Sequence, residues 1–199
     1  MKKTGENTEL LKRAFDIGFS SMLLIGLSPV FLIIAAGVKL SSSGDVIYRQ
    51  QRLGKNRKPF TMFKFRTMVM NAEKNGPQLT VPMDPRITGF GRFLRKYHLD
   101  ELTQFWNVLK GDMSVVGPRP EREFFVNEIE KISPDYNRIF EVKPGITSSG
   151  MVEYGYASDT REMMQRSLYD LNYLDNRSFY RDTKIIFHTL KTILQGKGI

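Results

Sequence analysis

Asp100 and Glu101 are adjacent carboxylates, and Arg92, Arg95, Lys96 and His98 come just before them. Taken alone, an acidic pair on a helix is ordinarily a solvated charge. This pair lies on a stretch read as helical from Gly91 to Lys110, with Leu99, Leu102, Trp106 and Leu109 on one apolar face and Phe105 at its margin. Adjacent helical residues project about 100° apart, which groups Asp100 with Lys96, Gln104 and Asn107, and Glu101 with Leu94, His98 and Phe105. Cations hold a carboxylate ionised, while burial and a neighbouring like charge oppose ionisation. Two such groups can divide labour, one as nucleophile and the other as metal ligand or proton carrier.

Anion-binding groups surround the pair in sequence. In Gly117-Pro118-Arg119-Pro120 two prolines fix the backbone around one arginine, whose guanidinium is then pre-organised for bidentate contact with phosphate. Strand alternation sends Lys64 and Arg66 to one side and Phe65 to the other, which makes either a phosphate-facing row or the wet face of a hairpin. Arg86, Arg92 and Arg95 lead directly into the acidic pair. The chain of 199 residues carries 30 Lys+Arg against 21 Asp+Glu, a net charge of +9 that suits phosphate-rich ligands or an anionic leaflet. Nucleic acid would satisfy the same charge, but no helix-turn-helix, ribonucleoprotein-type aromatic motif or zinc spacing supports it. The chain has no Cys, so disulfides and thiolate metal sites are excluded, and His98 and His188 make no metal spacing.

The elements that must hold these groups begin with residues 17–38, twenty-two residues without a charge, broken at Ser28-Pro29. A straight helix of that length is about 33 Å, enough to cross a bilayer core. Lys2, Lys3, Lys12 and Arg13 lie on one side, and Lys39, Arg49, Arg52, Lys55, Arg57 and Lys58 on the other. Crossing would put one cluster on the wrong face. Pro29 removes a backbone donor opposite the carbonyl of Ile25, and Gly26 loosens the same turn. A re-entrant hairpin fits all three facts. A single kinked span, a core helix and a signal peptide are the rival readings, the last lacking a small-residue cleavage site.

Val46–Tyr48 and Phe60–Phe65 read as strands around a turn at Gly54-Lys55-Asn56. Residues 71–90 are irregular, punctuated by Gly76-Pro77, Pro82, Pro85 and Gly89. Gly111-Asp112 ends the helix and Met113–Val116 is extended. Helices are expected at 121–131 and 134–141, a polar loop at 146–160, and amphipathic helices at 161–175 and 179–195. The last groups Ile185, Ile186, Leu190, Ile193 and Leu194, with Arg181, Lys184, Lys191 and Lys197 available to headgroups.

The runs Lys64–Met68, Asp84–Lys96, Leu99–Leu102, Asn107–Ser114, Val116–Pro120 and Lys143–Thr147 resemble, in order, the bacterial sugar transferases known as monotopic polyprenyl-phosphate phosphoglycosyl transferases. The likeness runs from about Lys12 to Thr192, and the chain resembles the family's small form. It implies an α+β, predominantly helical fold: a re-entrant membrane helix–break–helix at residues 1–40, a small β-hairpin, and interfacial amphipathic helices packed on a catalytic domain at 41–199. The location it implies is monotopic, on the cytoplasmic face of the bacterial inner membrane, among inner-leaflet lipids.

The activity it implies moves a sugar-1-phosphate from a UDP-sugar to undecaprenyl phosphate, releasing UMP. Asp100 would form an acyl phosphate, and Glu101 would assist Mg²⁺, both carboxylates lying at the metal. Lys64, Arg66, Arg86, Arg92, Arg95 and Arg119 would bind phosphates, and Ser28-Pro29 would be the membrane helix break. No nucleic acid partner is implied, and a homodimer is left open. Tyr48, Phe60 and Trp106 offer faces to a uridine, although core packing is the more ordinary role for each. Many family members follow Pro-Gly-Ile-Thr with Gly-Leu-Trp-Gln; this chain has Ser148–Tyr156 there, a departure that bears on donor choice if the loop touches sugar or base. The competing class is a membrane-tethered basic module that binds acidic lipid or nucleic acid without catalysis, and it leaves Asp100-Glu101 unexplained. A third reading keeps the chemistry but has the lipid attack directly, with the carboxylates only binding metal.

Overall fold

A computed structural model describes residues 2–74, 76–81, 83–196 and 198, with side chains from Glu9 onward. Pro82 and Lys197, and the side chains of Lys2 and Lys3, lie outside the described residues.

Helices α1 (Lys2–Gly26) and α2 (Ser28–Ser41) meet at Leu27 and are bent by 63°. The cause is local. Pro29 has no N–H for the carbonyl of Ile25, and the Ser28 hydroxyl donates to that carbonyl instead at 2.7 Å. No single described helix is long and apolar enough to cross a membrane. The pair is also not an ordinary core element: Ile25 and Leu32, either side of the bend, are 76 % and 74 % exposed. Its other faces are built into the protein. Phe15, Phe19, Leu23 and Leu24 of α1 pack on the cluster of Met62, Phe105, Val108 and Val115, while Ile34 and Val38 of α2 are buried with Phe65 and Leu94.

Polar stitches reinforce α1. Asp16 accepts from the backbone N–H of Val115 at 2.9 Å. Arg13 donates to the carbonyls of Val108 and Leu109, and Lys12 pairs with Asp182, which also accepts from the Tyr173 hydroxyl.

The hairpin of β1 (Ile47–Leu53) and β2 (Pro59–Phe65) is antiparallel, in register Ile47↔Phe65 to Leu53↔Pro59. Its first strand runs five residues beyond the Tyr48 read from composition, because the polar run Arg49–Arg52 pairs as readily on an exposed face as an apolar one. The described residues between 71 and 88 turn irregularly, as expected, but the irregular stretch read to residue 90 ends earlier, because α3 begins at Gly89.

The continuous helix read over Gly91–Lys110 is corrected. Helix α3 (Gly89–Lys96) is N-capped by Thr88 and stops at Tyr97. His98 is left-handed, with φ 53°, and Leu99–Glu101 form one 3₁₀ turn before α4 (Gln104–Lys110). The grouping of Asp100 and Glu101 with separate helical faces falls with it. So does the shared apolar face: Phe105 and Val108 are buried, while Trp106 is 55 % exposed. Gly111 closes α4 at φ 90°, and the fully buried Asn107 ties α4 to β2 by accepting from Phe63 N–H and donating to the Thr61 carbonyl.

The second sheet was not anticipated. Strands β3 (Ser114–Val116) and β4 (Gly145–Thr147) pair in parallel, so the polar loop expected at 146–160 contains a strand and then α6 (Ser149–Glu153). Gly117 and Gly145 sit where the backbones nearly touch; a Cβ on Gly145 would lie 2.1 Å from Gly117 N. Between the strands, α5 (Glu123–Glu130) and a 3₁₀ segment at Pro134–Glu141 pack on α7 (Thr160–Asp175) around Val126, Ile129, Tyr136 and Met163. Helix α8 (Phe179–Leu194) buries Ile185, but Phe187, Leu190 and Leu194 are exposed, so it is both packed and outward-facing. Of the aromatics considered for stacking, Phe60 is core; Tyr48 and Trp106 are not.

Candidate active site

The 3₁₀ turn brings Asp100 and Glu101 to the same place. Both are buried, and both line one cavity of 540 Å³ between the hairpin, α3, the Pro118-Arg119-Pro120 turn and α7. Nine Lys or Arg line this cavity against four Asp or Glu, so it is built for anions.

The carboxylates differ sharply. Glu101 Oε1 takes Lys64 Nζ at 2.5 Å and Arg119 Nη2 at 3.5 Å. Burial alone would raise its carboxyl, but these two cations outweigh it and hold Glu101 well below the usual carboxylate range. Among the described residues, no side chain or backbone group hydrogen-bonds the Asp100 carboxylate. Burial pushes Asp100 up from the ordinary 3.8, with Lys64 opposing and Glu101 adding to the rise. The result is one spent anion and one unspent anion facing the cavity.

Arg119 is fixed at both ends. Gly117 N–H donates to Thr147 O, Pro118 O accepts from Gly145 N, Arg119 N–H reaches Asp170 Oδ2 at 3.3 Å, and Pro120 O accepts from Arg52. Its guanidinium lies between Glu101 and Glu121, which keep it charged despite burial. Glu121 is itself clamped by Arg52 at 3.0 Å and Arg166 at 2.6 Å.

The remaining arginines read from sequence separate into three kinds. Arg66 is 8 % exposed, donates once to Ser42 O, and has its Nε and Nη1 buried without a partner, an unspent cation facing the same cavity. Arg95 lines the cavity and is oriented by Thr67 and Thr80. Arg86 also lines it, but its guanidinium is consumed by Asp84, Gln78 and the carbonyls of Ala72 and Leu79, so it braces the 72–80 loop. Arg92 stands apart: α3 turns Gly91 and Leu94 inward, which leaves residue 92 exposed and outside the cavity wall.

Sequence reasoning missed Arg52, Arg122, Arg166 and Tyr156 on the cavity wall, and Asp170 behind it. Asp170 had one signal, an acid on the buried side of α7 beside Leu171. It accepts from Gly150 N–H at 2.8 Å and from Arg119 N–H, and burial still raises its carboxyl to about 6. A folded value above the unfolded 3.8 adds stability that is complete below 3.8 and is lost as pH rises through about 6. The parent is therefore expected to gain roughly 3–6 °C in melting temperature relative to Asp170→Asn as pH falls from about 7.5 to about 5. A difference that stays flat over that window, measured by differential scanning calorimetry, would contradict this.

Comparison with known proteins places the chain among named relatives. It matches the bacterial sugar transferase family over residues 7–196. It is 40 % identical over 188 residues to the UDP-N-acetylgalactosamine-undecaprenyl-phosphate N-acetylgalactosaminephosphotransferase of Aeromonas hydrophila, covering 94 % of this chain and 44 % of that one. It is 44 % identical over 184 residues to the UDP-glucose:undecaprenyl-phosphate glucose-1-phosphate transferase of Escherichia coli K12, covering 91 % and 39 %. An uncharacterized sugar transferase of Bacillus subtilis is 38 % identical over 190 residues, covering 96 % and 90 %. The chain thus spans less than half the length of the first two relatives.

Proposed function

The chain belongs to the bacterial sugar transferase family, and from that premise we propose that it moves a sugar-1-phosphate from a UDP-sugar to undecaprenyl phosphate and releases UMP. The observation that carries the reading is the unequal carboxylate pair in a cation-lined cavity, with Asp100 unspent and Glu101 neutralised. The names of the relatives, which join UDP-sugars to undecaprenyl phosphate, support the choice of donor and acceptor.

In the first step an Asp100 oxygen attacks the sugar-bearing phosphorus. A bond forms between the carboxylate and phosphorus, the bond to the UMP oxygen breaks, and UMP leaves with the electron pair. In the second step an oxygen of the lipid phosphate attacks the same phosphorus and Asp100 leaves as carboxylate, so no net proton is moved. Arg119, Arg66, Arg95 and Lys64 spread the charge that builds on the transferring phosphoryl oxygens. Glu101, held ionised, keeps Lys64 and Arg119 aimed at that position.

Mg²⁺ fits the donor set. Among the described residues no group of three or more metal-ligating side chains exists, but Mg²⁺ is commonly held by one or two carboxylates together with substrate phosphates. Lys64 and Arg119 both take Glu101 Oε1, so Oε2 and the Asp100 carboxylate are the atoms that would hold the ion. When bound, the ion neutralises the donor diphosphate.

The reading places the bent helix pair in one leaflet, entering and leaving the cytoplasmic face, where the acceptor's phosphate lies. Exposed Met22, Ile25, Leu32 and Ile33 around the bend, and Phe187, Leu190 and Leu194 on α8, supply the apolar contact. Ile25→Asp with Leu32→Asp costs roughly 5 kcal/mol of transfer into hydrocarbon. In liposome flotation the parent is expected to float and the double variant to stay at the bottom; equal flotation would remove the membrane placement. The activity is tested by UMP release from UDP-glucose, UDP-galactose and UDP-N-acetylgalactosamine with Mg²⁺ and undecaprenyl phosphate. Polyanion binding without any cleavage across these conditions would instead favour a non-catalytic module.

A further inference from the structure

A second cavity, of 370 Å³, lies against the first, and Tyr156 is part of both walls. It is an open cleft bounded by α6, the Tyr154–Tyr156 loop, β4 and the last turns of α8. Its chemistry is unlike that of its neighbour. Where the first cavity is crowded with guanidinium groups, this one presents the hydroxyls of Thr147, Thr192 and Tyr154, the amide of Gln195 and the ring of His98, with Lys191 as its one charged lining group among the described residues. Phosphate has no reason to settle there. A neutral ligand rich in hydroxyls suits it better. Thr192 and Tyr154 donate to His188 O and Gln165, and Thr147 pairs with Thr189, but their oxygens keep lone pairs that can accept. Among the described residues no acceptor or donor partner holds the Gln195 amide.

His98 connects this cavity to the reacting carboxylate. It lies two positions before Asp100, in a left-handed conformation that a residue with a side chain holds at a cost. Its ring stacks near Tyr156, with centroids 6.0 Å apart and planes 11° apart, and Nδ1 is 3.2 Å from the Tyr156 hydroxyl. Nε2 is buried and has no partner within the protein. His98 lines the second cavity, and its buried, unsatisfied ring nitrogen lacks a polar partner that a group bound beside Tyr156 could supply.

We infer that this second cavity holds the sugar of the UDP-sugar donor, with His98 and Gln195 reading its hydroxyls and Tyr156 marking the passage from sugar to phosphorus. The inference rests on the proposed activity and adds a specificity site to it. It also gives a place to the stretch Ser148–Tyr156: Met151, Val152 and Tyr154–Tyr156 all line this cavity.

The test uses the full chain carrying Asp100→Asn, so that donor is bound and not turned over, with Mg²⁺ and isothermal titration calorimetry. The probes are UDP-glucose, UDP-galactose, UDP-N-acetylgalactosamine and UDP. Gln195→Ala changes an exposed rim residue, and His98→Asn keeps a residue type that tolerates the left-handed backbone. Each is expected to weaken the best-bound UDP-sugar about tenfold, the effect of one lost hydrogen bond, and to leave UDP within about twofold. Equal weakening of UDP would overturn the inference and make the cavity a nucleobase site. So would unchanged binding of all four, or a parent that gains no affinity from any sugar over UDP. If the otherwise unmodified chain neither binds nor cleaves any UDP-sugar, the proposed activity falls first and this inference with it.

Discussion

Asp100→Asn is expected to lose transfer by about 10⁴-fold or more while remaining folded, because amide nitrogen and oxygen match carboxylate in size but cannot form the acyl phosphate. The direct measurement is intact mass. Incubated with Mg²⁺ and a suitable UDP-sugar, and without lipid acceptor, the parent should gain the mass of one sugar phosphate and release one UMP. The Asn variant should do neither. Turnover that requires acceptor from the outset, with no adduct and no early UMP, would favour direct attack by the lipid and reduce Asp100 to a metal ligand. Full activity in the variant would end the proposal.

Arg119→Lys carries the next largest effect, a loss of about 100-fold in rate with little change in melting temperature. The turn's backbone is held through Asp170, Gly145 and Arg52, so it does not depend on the residue 119 side chain. What lysine loses is the planar fork that reaches past Glu101 and Glu121 into the cavity. Arg92→Ala is the matching control and should change the rate by less than about twofold, since that side chain faces outward. A loss below about threefold at position 119, or a large one at position 92, would mean the phosphate wall has been assigned to the wrong arginines.

Much of this arrangement was legible in residue order, and the parts that were not have definite causes. The bend at Ser28-Pro29 follows from a missing donor. The rigid Pro-Arg-Pro turn follows from two fixed φ angles, and α7 and α8 from simple periodicity. The split of the 91–110 helix was invisible because apolar spacing continues through it; nothing in His98 announces a left-handed backbone. The extended reading of Met113–Val116 holds as β3, but the three residues of β4 are too short for a pattern, and the pairing of the two strands spans some thirty residues of intervening chain. Arg86 looked like a ligand-binding cation, yet Asp84 two positions earlier was already its partner. Asp170 and Tyr156 became visible only when distant segments met.

The way α1 is stitched into the rest has a practical consequence. Asp16 carries the edge of β3, Arg13 closes the end of α4 and Lys12 steadies α8 through Asp182, all from the helix that leads into the bend. Cutting the chain near residue 40 would remove no residue that lines the cavity, yet it would uncover Met62, Phe105, Val108 and Val115, the apolar cluster on which α1 packs. A soluble version has to keep that helix and repaint only the outward side chains near the bend, so that solubility is gained at the surface and the catalyst's frame is left whole.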